Sequence, residues 1–371
     1  MLNDIIIHDF RNYARATAHF SAGINVLMGS NGIGKSNLLE AVLLLSLTKS
    51  PRAPYGDQVR WGESHFDLTG SISSTNGSHS LQISVTPGSA SGYRKQLHLD
   101  ETRVGGSTYL GHLPSVSFFP GDLAIVQGSP SIRRQMLDML LVQHDYQVRS
   151  ALLEYRRALE QKNRCLTDLR IGRGDPAVLD SYNFQIATHG ALIQRQRQRT
   201  LALLGELLAE EAGFLGLPFS LSLNYQANPP VTEPGEGSWD LNLRNHLAMA
   251  KREEIARGVA LVGPHRDEVA IMAGNHNAKI GASQGQQRTI VLAMALVRAR
   301  YLESVIGRDP ILLLDDLFSE LDARTCKVLT QRLITLGYQA VITGTEWPTT
   351  VPAAGTCLSF DAETALAGGR S

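Results

Sequence analysis

Hydrophobic and polar positions change their spacing twice along the chain. Alternating apolar residues at the N-terminus, then short alternating stretches up to about Phe119, predict a series of β-strands. From about Pro120 to Arg257 the apolar residues recur at helical spacing, chiefly over Ile132 to Arg170 and Val178 to Ala212, without sustained heptads. After Gly258, buried strands alternate with helices, which is typical of an α/β domain.

This pattern predicts an α/β domain built from both ends of the chain, with a mainly helical arm domain inserted between them. We expect the α/β head at residues 1–120 and 256–371 and the arm at residues 121–255. Within the first segment, alternating residues on both sides of Asn76-Gly77 predict a hairpin closed by an N-G turn.

Composition limits the classes of protein that fit. The 35 Lys and Arg balance the 35 Asp and Glu, so any binding of nucleic acid requires a local basic patch. The 3 cysteines are far apart and show no C-x-x-C spacing, which argues against a disulfide framework or a zinc site. The N-terminal stretch MLNDIIIHDFRN does not fit a secretory signal, and no long apolar run is present. We therefore expect a cytoplasmic protein with no membrane partner.

The strongest motif is GSNGIGKS at residues 29–36, which matches G-x-x-x-x-G-K-[ST] between a predicted strand and a predicted helix. Glycines let backbone amides close round phosphates, Lys35 reaches the β and γ phosphates, and Ser36 ligates magnesium. The alternative is a glycine-rich turn without a ligand. The motif predicts an ATP and Mg²⁺ site whose nucleotide-binding residues are Gly29, Ser30, Asn31, Gly32, Ile33, Gly34, Lys35, Ser36 and Asn37.

The run ILLLDD at residues 311–316 predicts a buried strand that ends in two acids. Downstream of a phosphate loop, Asp315 is expected to hold Mg²⁺ through water, and Asp316 to orient the water that attacks the γ-phosphate. Together with Lys35 they are the candidate catalytic residues. The alternative is a strand end whose acids cap the next helix.

The segment SQGQQR at residues 283–288 has two readings. Ser283 followed three residues later by Gln286 is a capping-box pattern, which starts many helices that have no function. However, ATP-binding-cassette ATPases carry their signature helix at this place, and Gly285 leaves the backbone open at a helix N-terminus. Because this chain's phosphate loop serves its own nucleotide, a second phosphate-binding helix start predicts a head-to-tail dimer with two ATP molecules at its interface.

Several blocks of the sequence resemble the RecF family of bacterial DNA replication and repair proteins. They occur in the family's order and span most of the chain. The blocks are FRNY at 10–13, GSNGIGKSNLLEA at 29–41, GSPSIRRQMLD at 128–138, YRRALEQKNRCL at 155–166, GPHRDE at 263–268, ASQGQQRT at 282–289 and LLLDDLFSELD at 312–322.

The resemblance implies an ATPase head like that of structural-maintenance-of-chromosomes (SMC) proteins, without the long coiled coil. Such a protein binds ATP, dimerises in response and engages DNA at junctions of single-stranded and duplex DNA. With RecO and RecR it helps to place the RecA recombinase on gapped DNA. Carried over by position, Arg11 and Asn12 lie near the nucleotide, and Ser283, Gly285 and Gln286 face the γ-phosphate of the partner.

The sequence also departs from related patterns. Gly121 stands where the family commonly has Glu, and Gly281 precedes the signature where an aromatic residue is usual. A transporter ATPase, the first alternative class, normally has a switch histidine after the strand AVIT and Glu at position 316, and this chain has neither. The shorter carboxylate of Asp316 predicts slow, regulatory hydrolysis. The second alternative is a binding module in which ATP is only a structural ligand.

Residues 131–173 of the arm contain nine Arg or Lys and five Asp or Glu. They predict a DNA phosphate-tracking surface, although an ordinary solvated helix face is an equal alternative. The candidate residues are Arg133, Arg134, Arg149, Arg156, Arg157, Lys162 and Arg164. The HRD at 265–267 matches the start of a kinase catalytic loop, but Met272 occupies the place of the required Asn, so a kinase is rejected.

Overall fold

The computed structural model describes residues 1–74, 77–88, 92–231, 238–319, 321–346, 356–357 and 359–364. Two compact units divide the chain: unit 1 comprises residues 1–123, 211–218 and 283–371, and unit 2 comprises residues 124–210 and 219–282. Among the helices in the described part of the chain, none is both long and apolar enough to cross a membrane.

The helices and strands follow the chain in three stretches. The first contains β1 (Leu2–Phe10), β2 (Tyr13–His19), β3 (Ile24–Met28), α1 (Lys35–Leu47), α2 (Tyr55–Gln58), β4 (Phe66–Ser74), β5 (Gly77–Pro87), β6 (Tyr93–Leu99), β7 (Thr102–Val104), α3 (Gly106–Tyr109) and β8 (Ser115–Phe118). The second contains α4 (Ala124–Gln127), α5 (Pro130–Leu141), α6 (Tyr146–Arg170), α7 (Val178–Phe214), β9 (Leu221–Gln226), α8 (Ser238–Arg257), β10 (Glu268–Ala273), β11 (His276–Asn277) and α9 (Ala278–Gly281). The third contains α10 (Gln284–Ile306), β12 (Ile311–Leu314), α11 (Ala323–Leu336), β13 (Ala340–Gly344), β14 (Thr356–Cys357) and β15 (Ser359–Thr364).

A parallel sheet in unit 1 positions the candidate site. Its strand order in the described residues is β14-β3-β13-β12-β8. The residues of β12 and β13 are buried, and such a continuous apolar run is typical of a parallel strand covered on both faces. Because ligands bind outside the carboxyl ends of such strands, we expect the candidate site at the ends of β3, β12 and β13.

An antiparallel sheet forms the other layer of unit 1, with the described strands in the order β15-β2-β1-β4-β5-β6-β7. Along β1 the buried residues Ile5 and Ile7 are two positions apart, as a strand with one face in a core requires. Strands β4 and β5 pair as the predicted hairpin, with Ser74 opposite Gly77. The predicted turn residue Asn76 lies outside the described residues.

Unit 2 packs its helices round an apolar cluster that includes Tyr155, Ile186, Ile193, Trp239 and Leu243. The amphipathic spacing that predicted the helices is the reason for this packing, because it places apolar side chains on one face. The strands β9, β10 and β11 form an antiparallel sheet in the same unit.

A buried carboxylate organises the polar interior of unit 2. Asp267 is fully buried and accepts hydrogen bonds from the side chains of Arg197, Tyr225 and Gln194 and from the backbone N–H of Asn228. A buried charge is tolerated only when it is paired and hydrogen-bonded in this way. Asp267, the acid of the HRD segment, therefore has a structural role in the interior of unit 2.

The unit boundaries differ from the predicted domain boundaries. Residues 256–282, predicted as head, belong to unit 2 because β10 pairs with β9 along its whole length. Residues 211–218, predicted as arm, belong to unit 1 because the buried carboxylate of Glu211 accepts hydrogen bonds from Arg300 and Arg332. Both differences arise from contacts between residues far apart in sequence, which periodicity does not reveal.

Candidate nucleotide site

The phosphate loop links the end of β3 to the start of α1 and lines a cavity of about 260 Å³. Gly34 caps α1 with φ 115°, a conformation that favours glycine. The open N-terminus of α1 supplies the partial positive charge that attracts a phosphate. The cavity is lined by Asn31, Gly32, Gly34, Lys35, Ser36, Asn37, Pro120, Asp315, Asp316 and Thr343.

Lys35 closes the loop on itself. Its Nζ donates hydrogen bonds to the carbonyl oxygens of Gly29 at 2.6 Å and Ser30 at 2.9 Å, and the residue is buried. An ammonium whose partners in the described residues are neutral carbonyls can exchange them for the negatively charged oxygens of a phosphate, which make stronger hydrogen bonds.

The two acids predicted after β12 lie at the mouth of the phosphate loop. The Oγ of Ser36 donates to Oδ1 of Asp315 at 2.8 Å, across 279 residues of sequence. Asp316 has φ 48° in the left-handed region and lines the same cavity. Its Oδ2 accepts from Ser319, whereas its Oδ1 is buried without a hydrogen bond in the described structure. The structure thus brings Lys35, Ser36 and the two acids together.

This donor set fits Mg²⁺. Hydroxyl and carboxylate oxygens are the ligands that Mg²⁺ prefers, usually with several waters retained. The Ser36–Asp315 pair and the buried, unpartnered Oδ1 of Asp316 supply such oxygens beside the loop. Among the described residues no group of three or more His, Cys, Asp or Glu could hold a metal.

The FRNY segment supports the phosphate loop from the turn between β1 and β2. Tyr13 donates from its hydroxyl to the Gly34 carbonyl at 2.7 Å, and Asn12 donates to the Ile33 carbonyl at 3.2 Å. The amide of Asn37 in turn donates to Asn12. Asn12 therefore lies beside the loop, and its predicted place near the nucleotide stays a prediction. Tyr13 was not singled out by sequence reasoning, although it stands in the quoted FRNY block.

Arg11 has another partner. Its guanidinium donates two hydrogen bonds of 3.0 Å to the carboxylate of Glu40, which is fully buried in α1. Arg52 contacts the same carboxylate, donates to the Ser36 carbonyl at 2.8 Å and covers the ring of Phe119. Arg11 thus stabilises α1 through Glu40. Its predicted place near the nucleotide stays a prediction. No local sequence pattern predicts the contacts of Glu40 and Arg52.

The capping box at the start of α10 is confirmed. Ser283 Oγ accepts from the Gln286 N–H at 3.3 Å, and Gln286 Oε1 accepts from the Ser283 N–H at 2.8 Å. Ser283 and Gly285 are exposed, and a Cβ added at Gly285 would meet nothing within 4 Å. None of the three residues Ser283, Gly285 and Gln286 is among the residues described as lining the phosphate-loop cavity. Their predicted role toward another nucleotide stays a prediction.

Two residues of the predicted basic surface of the arm are largely buried. Lys162 and Glu254 have fully buried side chains, with Nζ and Oε2 2.8 Å apart. Burial lowers the pKa of Lys162, while the charge of Glu254 opposes that shift. The inclusion of Lys162 was wrong, since a buried ammonium cannot reach a DNA phosphate. Arg133 is only 11% exposed and pairs with Glu268.

The remaining five residues fall into two groups. Arg134 donates to the Asp267 carbonyl and Arg149 to the Asp145 carbonyl, and burial lowers the pKa of both guanidinium groups. Arg156, Arg157 and Arg164 are exposed on α6. The first two each pair with a glutamate one helical turn away, and such surface pairs are weak enough to exchange for another anion.

The parallel sheet, the phosphate loop and the acids at the strand ends define a P-loop ATPase head with an inserted helical unit. Residues 1–357 match the family described as the RecF/RecN/SMC N-terminal domain. The chain is 35% identical to the DNA replication and repair protein RecF of Geobacillus thermodenitrificans over 326 residues, which is 86% of each chain. The same identity and coverage hold for RecF of Listeria welshimeri. The chain belongs to the RecF family.

Solved structures agree with this assignment. A structure of the recombination mediator protein RecF-ATPrS in the RecFOR pathway superposes with a TM-score of 0.87 at 29% identity, covering 96% of this chain and 95% of that one. An Smc head bound to the C-terminal winged-helix domain of ScpA gives a TM-score of 0.52 at 15% identity over 98% of each chain. That second likeness shows the fold alone. The predicted family and fold class are both confirmed.

Proposed function

We propose that this chain is an ATP-dependent DNA-binding protein of DNA replication and recombinational repair. The observation that carries the proposal is the 2.8 Å contact of Ser36 with Asp315, which brings the phosphate loop and the acids after β12 together from distant parts of the chain. The names of the relatives support the biological setting, since they are DNA replication and repair proteins. A structural relative is described as RecF-ATP, which supports ATP as the nucleotide.

In this proposal the loop from Gly29 to Ser36 surrounds the phosphates with backbone N–H groups, and Lys35 exchanges its carbonyl partners for phosphate oxygens. Ser36 and Asp315 hold Mg²⁺, which when bound would neutralise charge on the phosphates. Asp316 uses its unpartnered Oδ1 to orient the attacking water.

The second element of the proposal is a head-to-tail dimer that forms when ATP binds. The exposed start of α10 offers backbone N–H groups and the positive end of a helix, which together suit a phosphate. Ser283 and Gly285 provide that surface without crowding, since Gly285 has no side chain. In the dimer, Ser283, Gly285 and Gln286 contact the γ-phosphate of the partner's ATP.

The third element is the role of the dimer on DNA. The dimer binds junctions of single-stranded and duplex DNA in the cytoplasm and, with RecO and RecR, supports the loading of RecA on gapped DNA. The description of the structural relatives as mediators in the RecFOR pathway supports this placement. Slow hydrolysis then releases the dimer, and turnover of many ATP per second without DNA would contradict that role.

The proposal is tested by fluorescence anisotropy of a labelled gapped duplex at physiological salt, with and without Mg-ATP. We expect tighter DNA binding with ATP for the wild type and no ATP response for Lys35→Ala. For Asp316→Asn we expect ATP-dependent DNA binding with loss of the turnover that the wild type shows, which would favour a hydrolysing switch over a purely structural role of ATP. Equal DNA affinity of the wild type with and without ATP would refute the proposal.

A further inference from the structure

Thr343, near the end of β13, touches both acids of the site and has no place in the mechanism above. Its Oγ1 donates to Oδ1 of Asp315 at 2.7 Å. The same Oγ1 accepts from the backbone N–H of Asp316 at 3.0 Å. Thr343 is fully buried and lines the phosphate-loop cavity. One hydroxyl thus links the carboxylate of one acid to the backbone of the next.

The positions of the protons follow from these contacts. The Asp316 N–H can only donate, so Thr343 Oγ1 must accept from it. The single hydroxyl proton of Thr343 is then directed to Oδ1 of Asp315, which accepts the hydrogen bond. Oδ1 of Asp315 accepts a second hydrogen bond, from Ser36 Oγ, and this leaves the lone pairs of Ser36 Oγ available to a metal ion.

The contact also bears on the backbone of Asp316. This residue has φ 48°, a left-handed conformation that ordinary residues adopt only when the surroundings impose it. The Thr343 hydroxyl fixes the N–H of Asp316, and Ser319 fixes its Oδ2. The remaining Oδ1 is thereby held in one place, buried and without a hydrogen-bond partner in the described residues.

We propose that Thr343 is a positioning residue for ATP hydrolysis, because its hydroxyl sets the metal-binding acid and the water-orienting acid at a fixed separation. The inference rests on the proposed function. Threonine suits the task because branching at Cβ restricts χ1, so the hydroxyl keeps one direction. Thr343 stands on a strand paired with β12, which carries both acids at its end, so the contact spans two neighbouring strands.

The test compares Thr343→Val, which keeps the shape and removes the hydroxyl, with Thr343→Ser, which keeps the hydroxyl. The matched control is Thr330→Val, because Thr330 is a buried threonine of α11 whose hydroxyl donates to a backbone carbonyl outside the cavity. Each variant is measured for ATP affinity, turnover per nucleotide-binding site, and the Mg²⁺ concentration that gives half-maximal turnover.

We expect Thr343→Val to lose about 10- to 100-fold in turnover per site, as expected for a small misplacement of catalytic groups. Its ATP affinity should change little, since the loop holds the phosphates, and its Mg²⁺ requirement should rise. Thr343→Ser should recover most of the turnover. A merely structural role would lower the number of binding sites and leave turnover per site and Mg²⁺ requirement unchanged.

If Thr343→Val kept the turnover per site of the wild type, the inference about Thr343 would be overturned and the proposed function would stand. The same follows if Thr343→Ser and Thr343→Val lost turnover equally. An equal loss per site in Thr330→Val would also overturn it, because any buried hydroxyl would then suffice. Absence of ATP binding by the wild type would instead overturn the proposed function.

Discussion

Replacing Gly34 by alanine tests how the FRNY segment shapes the phosphate loop. Gly34 has φ 115°, and a Cβ added there would lie 2.5 Å from Tyr13 Oη and 2.8 Å from Asn12 Nδ2. Both neighbours are hydrogen-bonded to the loop itself, so they cannot move away without releasing it. The substitution therefore strains the backbone at position 34 and also displaces Tyr13 and Asn12 from the loop.

The expected cost can be estimated from three contributions. A left-handed backbone at a non-glycine residue costs about 1–2 kcal/mol. Overpacking against Tyr13 adds about 1–3 kcal/mol. Loss of the Tyr13–Gly34 hydrogen bond adds about 0.5–1.5 kcal/mol. The sum is roughly 2.5–6.5 kcal/mol, and since about 1.4 kcal/mol is a factor of ten, ATP affinity should fall at least about 50-fold.

Gly23→Ala is the matched control. Gly23 is also left-handed, with φ 77°, but a Cβ there would meet no atom within 4 Å, and Gly23 is not among the residues that line the cavity, so only the backbone strain applies. Affinities come from calorimetric titration with ATP, and thermal unfolding checks that both variants are folded. If Gly34→Ala bound ATP within a factor of two of Gly23→Ala, the proposed support of the loop by Tyr13 and Asn12 would be refuted.

Three further predictions concern unit 2. Lys162→Ala should lower the free energy of unfolding by about 3–5 kcal/mol in urea titrations, because it leaves the carboxylate of Glu254 buried and unpaired. The double variant Lys162→Met, Glu254→Leu should recover most of the lost free energy of unfolding, because it removes both charges. A loss below about 1 kcal/mol in Lys162→Ala would contradict the pairing. Arg156→Glu with Arg157→Glu should weaken DNA binding and reduce the slope of log affinity against log salt by about two, and an unchanged slope would remove α6 from the DNA surface. Burial lowers the pKa of His265 from 6.5 to about 4, so below pH 6.5 the unfolded chain binds a proton that the folded chain does not. The free energy of unfolding should therefore fall by up to about 3 kcal/mol as pH falls from 6.5 to 4. In urea titrations, His265→Asn should show a weaker dependence of this free energy on pH over that range. An equal dependence in both proteins would contradict the lowered pKa of His265.

The features predicted correctly from sequence are those whose cause is local. The phosphate loop needs its residues at fixed spacing within one turn, and the capping box uses two residues three positions apart. The buried strand before Asp315 follows from its continuous apolar run. These signals do not depend on where the rest of the chain lies.

The features that were missed depend on distant partners. Lys162 reads as a surface cation on an amphipathic helix, and only the approach of Glu254, 92 residues later, places it in a core. Thr343 is an ordinary strand residue until β13 pairs beside β12 and directs its hydroxyl to Asp315. Periodicity specifies the face of a helix or strand but not which side chains meet across elements.

The central claim, an ATP-dependent head-to-tail dimer, is tested most directly by molar mass in solution with and without Mg-ATP. The wild type should change from one chain to two when ATP is added. Ser283→Arg should still bind ATP, with the affinity of a single wild-type chain, and should remain a single chain, because the new side chain covers the exposed start of α10. Dimerisation of Ser283→Arg at the ATP concentration that suffices for the wild type would contradict the claim, and so would a wild type whose mass ATP does not change.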